Sequence, residues 1–267
     1  MIQAVAGILL AACIAIASFR LRWLTSGGAI AQFALGALLF GIGGVPWATP
    51  VIVFFVSSSL LSVAFRGQRG SAATHHAKGS RRDVMQVLAN GGVGGVLVLI
   101  LAFFNVPHAY VAYVASFAAA AADTWATEIG TAFPGMPRRI IGFRKVERGR
   151  SGAVSFPGTI AAALGSLAVS ASSLPWVAPG DRWPVLAIAG VGGLFGSLVD
   201  SVLGASIQGQ WYCPRCGRTV EMPLHCEEKA LPSSGFRIVT NDLVNLVSIG
   251  SAATLAWWAF ASFLAPS

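Results

Sequence analysis

Eight apolar runs, at residues 2–19, 29–45, 47–65, 84–104, 109–133, 154–174, 184–204 and 238–263, dictate the fold class of this chain. Each is about the length a helix needs to cross a roughly 30 Å hydrocarbon core. Inside lipid the backbone must satisfy its own hydrogen bonds, so such runs predict membrane-spanning helices. Only 10% of the residues are charged, where a soluble domain carries about 25%. Most of the outer surface is therefore left to face lipid. The 31 glycines also suit helices whose backbones approach closely. The expectation is an all-α polytopic bundle of about eight spans, one transmembrane domain over residues 1–267, with a small polar loop at 205–237.

Topology follows from the basic residues. Arg20 and Arg22 come after the first run and not before it, which predicts an uncleaved span in place of a signal peptide. Of the 18 Lys and Arg residues, all but Arg182 fall in alternate connections, those after runs one, three, five and seven. The positive-inside rule assigns those connections to the cytoplasm and both termini to the outside. The formal charge of +8 is thereby accounted for without a nucleic-acid partner. A basic cytoplasmic face attracts membrane lipid headgroups and phosphorylated ligands.

The chain has ten acidic residues, and four of them, Asp123, Glu128, Asp200 and Asp242, fall within predicted spans. An ionisable group at membrane depth is costly and normally marks a polar cavity. A structural ion pair is the plainer reading for any one of them, but no span contains a basic partner. All four fall toward the same end of their spans, the cytoplasmic one. On a helix, Asp123, Thr124, Thr127 and Glu128 share one broad face. Asp200 and Ser201 follow a stripe of Gly192 and Gly196, which reads first as a packing face. Asn241, Asn245 and Ser248 form a polar face at the start of the last span, as Asp83, Gln86 and Asn90 do near the start of the fourth. Hard oxygen donors with no soft ligand among them suit Mg²⁺, which takes one or two carboxylates and completes its shell with water and phosphate.

Two loops add further chemistry. Residues 142–159 combine Arg144, Lys145 and Arg148 with Gly152, Ser155, Gly158 and Thr159. Glycines admit close backbone approach, and helix N-termini offer free N–H groups to phosphate. The segment lacks the GxxxxGK[ST] pattern, so it is no Walker A loop; next to a carboxylate cluster, phosphate binding is a better reading than an ordinary basic loop. Cys213, Cys216, His225 and Cys226 make a Cys₃His set that suits a structural Zn²⁺. The alternative is free thiols, because the second half lacks the usual CxxC spacing.

The ordered motifs AADTWATEIG (121–130), GRSGAVSFPGTIAAALGS (149–166), FGSLVDSVLGASIQ (195–208), CPRCG with HC, and TNDLVNLVS (240–248) resemble those of the phytyl-phosphate kinase family of integral membrane proteins. RDVMQVLANGG (82–92) fits the same pattern, and the similarity runs from about residue 78 to 250. The resemblance implies a membrane enzyme that phosphorylates an isoprenoid monophosphate to the diphosphate, with CTP as donor. Asp123, Glu128, Asp200 and Asp242 would organise Mg²⁺ and the nucleotide phosphates. Asn90, Asn241 and Asn245 would orient them, and Lys78, Arg144, Lys145 and Arg148 would neutralise charge. An isoprenoid-alcohol kinase and a cytidylyltransferase are the alternatives within enzymes. A secondary transporter is the alternative outside them, since buried acids mark those too.

Overall fold

The computed structural model describes residues 1–67, 81–106 and 108–264. The chain is mostly helical: α1 (Ile2–Arg20), α2 (Ser26–Ala64), α3 (Val84–Phe104), α4 (His108–Ala132), α5 (Phe156–Ser172), α6 (Arg182–Ser206) and α7 (Asn241–Leu264). The eight predicted runs map onto these seven helices because runs two and three are the two limbs of α2. The break is at Gly44, whose φ of 67° and ψ of −157° leave the helical region. Glycine populates positive φ without steric cost. Pro46 and Pro50 follow, and Pro46 has no N–H to continue the ladder across the break.

Contacts at the two limbs prove that the chain reverses there. Gly28 packs against the carbonyl of Arg82, while the guanidinium of the same residue lies 3.4 Å from the hydroxyl of Ser59. A straight helix would separate Gly28 and Ser59 by about 46 Å. The limbs therefore form a hairpin, and the bundle has eight helical passes.

Six helices among the described residues are long and apolar enough to cross a membrane, and α4 is not one of them. Its residues 111–122 are all buried, and it packs against α2, α3, α5, α6 and α7. A helix wrapped by protein needs small residues for close packing more than it needs apolarity. The run Ala118–Ala122 supplies them. This is an integral membrane bundle built around a polar-ended central helix.

The two ends of the bundle differ. At one, Gln3 donates to the Ile42 carbonyl (2.9 Å), Trp47 packs on Tyr113 with centroids 4.4 Å apart, and His108 stacks on Trp257. Both the start of α1 and the late part of α7 therefore lie at this end. At the other end are the starts of α3, α5 and α7 and the last turns of α4 and α6.

The 205–237 region is more than an irregular loop. Strands β3 (Gln210–Cys213), β4 (Arg218–Val220) and β7 (Leu231–Ser234) form a three-stranded antiparallel sheet in the order β4-β3-β7. A second hairpin pairs β5 (Leu224–His225) with β6 (Glu228–Lys229). The earlier hairpin pairs β1 (Arg138–Arg139) with β2 (Ala153–Val154). Strands so short give no legible alternation, which is why the sequence predicts only a loop here.

Candidate active site

Three helix N-termini converge on one cavity. Asp83 caps α3 in a reciprocal capping box with Gln86. Ser155 caps α5, accepting from the Gly158 N–H at 3.2 Å. Thr240 accepts from the Leu243 N–H at the start of α7. The N-termini carry the positive ends of their macrodipoles, which favours anions. The last turns of α4 and α6 arrive at the same level bearing carboxylates.

The cavity between these ends has a volume of about 850 Å³, within the upper range of small-molecule sites. From α4 it is lined by Asp123, Thr124, Thr127 and Glu128. From α6 come Asp200 and Ser201, and from α7 Asn241, Asp242 and Asn245. Asn90 lines it from α3, and Gly152, Ser155, Gly158 and Thr159 from the segment leading into α5. Residues predicted from five separate stretches are thus brought to one wall-to-wall site.

Individual contacts fix the acids. Glu128 is buried and accepts a 2.5 Å hydrogen bond from Ser62 on the second limb of α2. Asp200 accepts from Ser248 on α7 at 3.3 Å. Asp123 is close enough to feel the charges of both Asp200 and Glu221. Three like charges facing one cavity repel unless a cation lies among them. Asp123, Glu128, Asp200 and Asp242 offer only hard oxygens, the donor chemistry that suits Mg²⁺; among the described residues, the donor atoms drawn closely enough together to hold one ion are those of the Cys/His set.

The loop into α5 is clamped by close approach. Gly152 has φ +72°, and an added Cβ would lie 2.5 Å from the backbone nitrogen of Ala205. The Arg139 guanidinium donates to the Ala205 carbonyl. Gly158 crosses α4 so closely that a Cβ would lie 3.0 Å from the Ala126 carbonyl. The glycines of this loop thus serve backbone packing as well as any ligand.

The basic residues depart from expectation. Arg144, Lys145 and Arg148 do not line the cavity, whereas Arg82 and Arg150 do. The chain turns back between Pro137 and Val146, with backbone bonds from Arg139 to Arg144 and from Val146 to Pro137. Arg144 and Lys145 are left exposed on this turn, and Arg148 donates instead to the Phe133 carbonyl. Lys78 lies outside the described residues. Arg82 is held over the rings of Phe54 and Phe55, 5.7 and 5.3 Å from their centroids.

Glu221 also lines the cavity, as do Ser62, Ser151 and Gln208, none of them conspicuous in the sequence. Glu221 accepts from Ser151 at 2.5 Å and from Gln208 at 3.1 Å, so it joins the β unit to the α5 loop. An acid in a polar loop raises no flag by itself, and only the fold turns it inward. A smaller apolar cavity of about 100 Å³ lies among α1, α2 and α3, walled by Leu35, Leu39, Phe40 and Phe54. It shares Arg82, Gln86 and Asn90 with the larger one.

The donor atoms of Cys213, Cys216, His225 and Cys226 lie within 4.8 Å of one another in the β unit. The hydrogen bond from His225 pulls the Cys213 thiol down to about 6. Burial pushes that of Cys226 up.

Residues 9–253 match the family described as integral membrane protein DUF92. The chain belongs to that family. This DUF92 protein is 29% identical to Protein PGR of Arabidopsis thaliana over 266 residues, covering 91% of each chain. It is 31% identical to the uncharacterized membrane protein MJ0933 of Methanocaldococcus jannaschii, covering 77% of this chain and 83% of that one. With Protein VTE6, chloroplastic, of Arabidopsis thaliana, the identity is 25%, over 87% of this chain and 64% of the relative. The resemblance to the phytyl-phosphate kinases drawn from its motifs holds at the level of the family. No solved structure matches.

Proposed function

We propose that this DUF92 protein is a membrane lipid kinase that transfers the terminal phosphoryl group of CTP to an isoprenoid monophosphate, such as phytyl, geranylgeranyl or farnesyl phosphate. The observation that carries the reading is the coincidence, in one cavity at the ends of the spans, of facing carboxylates and three helix N-termini. Carboxylates alone would suit a cation, and N-termini alone an anion. Together they suit a metal-bound polyphosphate. Positioning and charge neutralisation are most of what phosphoryl transfer asks of a protein.

In the reaction, an oxygen of the acceptor monophosphate attacks the terminal phosphorus of the triphosphate. The bond from that phosphorus to the bridging oxygen breaks, and the nucleoside diphosphate leaves with the electron pair. An anionic acceptor needs no strong general base. Asp123, Glu128, Asp200 and Asp242 would hold Mg²⁺, which would supply charge neutralisation at the phosphate oxygens. Arg82 and Arg150 add positive charge, Asn90, Asn241 and Asn245 orient phosphate oxygens, and the positive end of the α5 dipole at Ser155, Gly158 and Thr159 favours a phosphate beside it. The apolar cavity that shares Arg82 with the site would take the first isoprene units, so that the rest of the chain runs into lipid. With the basic connections at this end of the bundle, the active face is cytoplasmic and both termini lie outside.

The test is direct. Purified protein in detergent with Mg²⁺ is incubated with γ-labelled and cytosine-labelled CTP, in turn, and with isoprenoid monophosphates and free alcohols. The reading expects the γ-label on a lipid diphosphate and CDP in solution. Label on an alcohol makes the protein an alcohol kinase, and cytosine label on the lipid makes it a cytidylyltransferase. No labelled lipid from any pair, together with nucleotide-independent uptake by sealed vesicles, replaces the kinase with a transporter.

A further inference from the structure

The β unit between α6 and α7 is too small to hold itself together by apolar burial. Its buried core is Trp211, Val220 and Ala230. Units of about 40 residues or fewer usually require a disulfide, a metal or a partner to stay folded. No disulfide links the described cysteines.

Its two turns aim four donors at one point. In the β3–β4 turn the Gly217 N–H donates to the Cys213 carbonyl at 2.9 Å, and Gly217 adopts φ +70°. That tight turn sets Cys213 and Cys216 side by side. In the β5–β6 turn Cys226 and Glu227 adopt φ +52° and +64°, a conformation rare for residues other than glycine. Such strain persists where surrounding interactions fix it. The ring nitrogen Nδ1 of His225 lies 3.2 Å from the Cys226 sulfur and 3.6 Å from the Cys216 sulfur. A tetrahedral zinc with usual bond lengths requires sulfur–nitrogen edges of about 3.5 Å and sulfur–sulfur edges of about 3.8 Å. Arg215 braces the two turns by donating to the Cys226 carbonyl at 2.8 Å, the kind of outer contact that orients ligands.

We propose that Cys213, Cys216, His225 and Cys226 bind one structural Zn²⁺, and that this ion pins the β4–β5 connection as a wall of the cavity. Four protein ligands close the coordination sphere, so the ion has no open position for catalysis. Its leverage is positional. Residues 221–224 line the cavity, and Leu224 is covalently joined to the ligand His225. Glu221, bonded to Ser151 and Gln208, is thereby held in the same cavity as Asp123 and Asp200. The consequence for turnover rests on the kinase reading; the zinc and the wall do not.

The experiment uses the full chain in detergent. Metal content by mass spectrometry is expected to be about one zinc per chain, falling at least ~10-fold in Cys213→Ser/Cys216→Ser. Chelation of the intact wild-type protein is expected to expose residues 218–230 to limited proteolysis while the helical circular dichroism is retained. Restoring Zn²⁺ should reverse the cleavage, which separates metal loss from misfolding of the variant. Protein that carries no zinc, or that loses zinc with no change in cleavage, overturns the proposal. None of these readouts involves phosphoryl transfer, so a failed kinase assay leaves them standing. If the kinase assay succeeds, zinc removal should raise KM for the nucleotide and restoration should return it.

Discussion

Helices α1 and α4 are opposites. α1 is apolar between Gln3 and Ser18, yet Val5, Leu9 and Ile16 are among its many exposed residues. α4 falls short of the apolarity of a typical span, yet it is the most enclosed helix among those described. In a soluble protein the greasiest segment would be the core. Here lipid takes the apolar side chains, so apolarity marks the outside, and small or polar residues mark the inside. Four acids of the cavity belong to the same rule: Asp123 and Glu128 on α4, Asp200 on α6 and Asp242 on α7. These helices pack on one another, and no acid sits on α1 or α2.

The largest expected effect comes from the polar end of α4. If the interior carboxylates are there for function, Asp123→Asn and Asp200→Asn should each lower turnover by at least ~100-fold, the scale for removing a preorganised charge in a transfer site. Their thermal midpoints in detergent should stay close to wild type, because neither acid has a basic ion-pair partner among the described residues to strand. Full activity in both variants would break the comparison at its functional end. An equal loss of folding would mean the acids are structural.

Much of this contrast is legible in the amino-acid sequence. The run lengths yield the eight passes, and even the α2 hairpin is visible as two runs around Gly44 and Pro46. The convergence of Asp123, Asp200 and Asp242 is legible because acids in apolar runs are conspicuous. Glu221 and Arg150 are not, since a charge in a polar loop is the ordinary case and only tertiary folding turns it inward. The basic residues illustrate the same limit: Arg144 and Lys145 look better suited to phosphate than Arg82, yet a backbone turn carries them away from the cavity. The β strands are invisible because two to four residues cannot establish a period.

A smaller effect probes the packing around α4. An added Cβ at Gly193 on α6 would lie 2.7 Å from the Ala118 Cβ and 2.8 Å from its backbone carbon. Backbone cannot move aside as a flexible side chain can, so Gly193→Ala should destabilise by about 1–3 kcal/mol through overpacking. A lowered thermal midpoint in detergent checks this, with Val5→Ala on the lipid face of α1 as the control that should barely move. If the two variants shift equally, α4 is not the tightly packed centre of the bundle.

The smallest effect is expected where a helical glycine has no close neighbour. Gly92 on α3 and Gly250 on α7 would meet nothing within 4 Å if given a Cβ. Neither has positive φ, so alanine fits both the space and the backbone. Glycine costs a helix interior up to about 1 kcal/mol relative to alanine, mostly through backbone entropy. Within a bilayer the unfolded reference is itself helical, so much of that entropy is already lost. Gly92→Ala and Gly250→Ala should therefore stabilise by less than about 1 kcal/mol, read as a small rise in the same thermal midpoint. The sign is what matters. A fall comparable to that of Gly193→Ala would mean that these faces meet a lipid, or a second copy of the chain, as closely as α6 meets α4. Smallness would then report contact rather than enclosure, and the division between outside and inside drawn from α1 and α4 would have to be redrawn along α3 and α7.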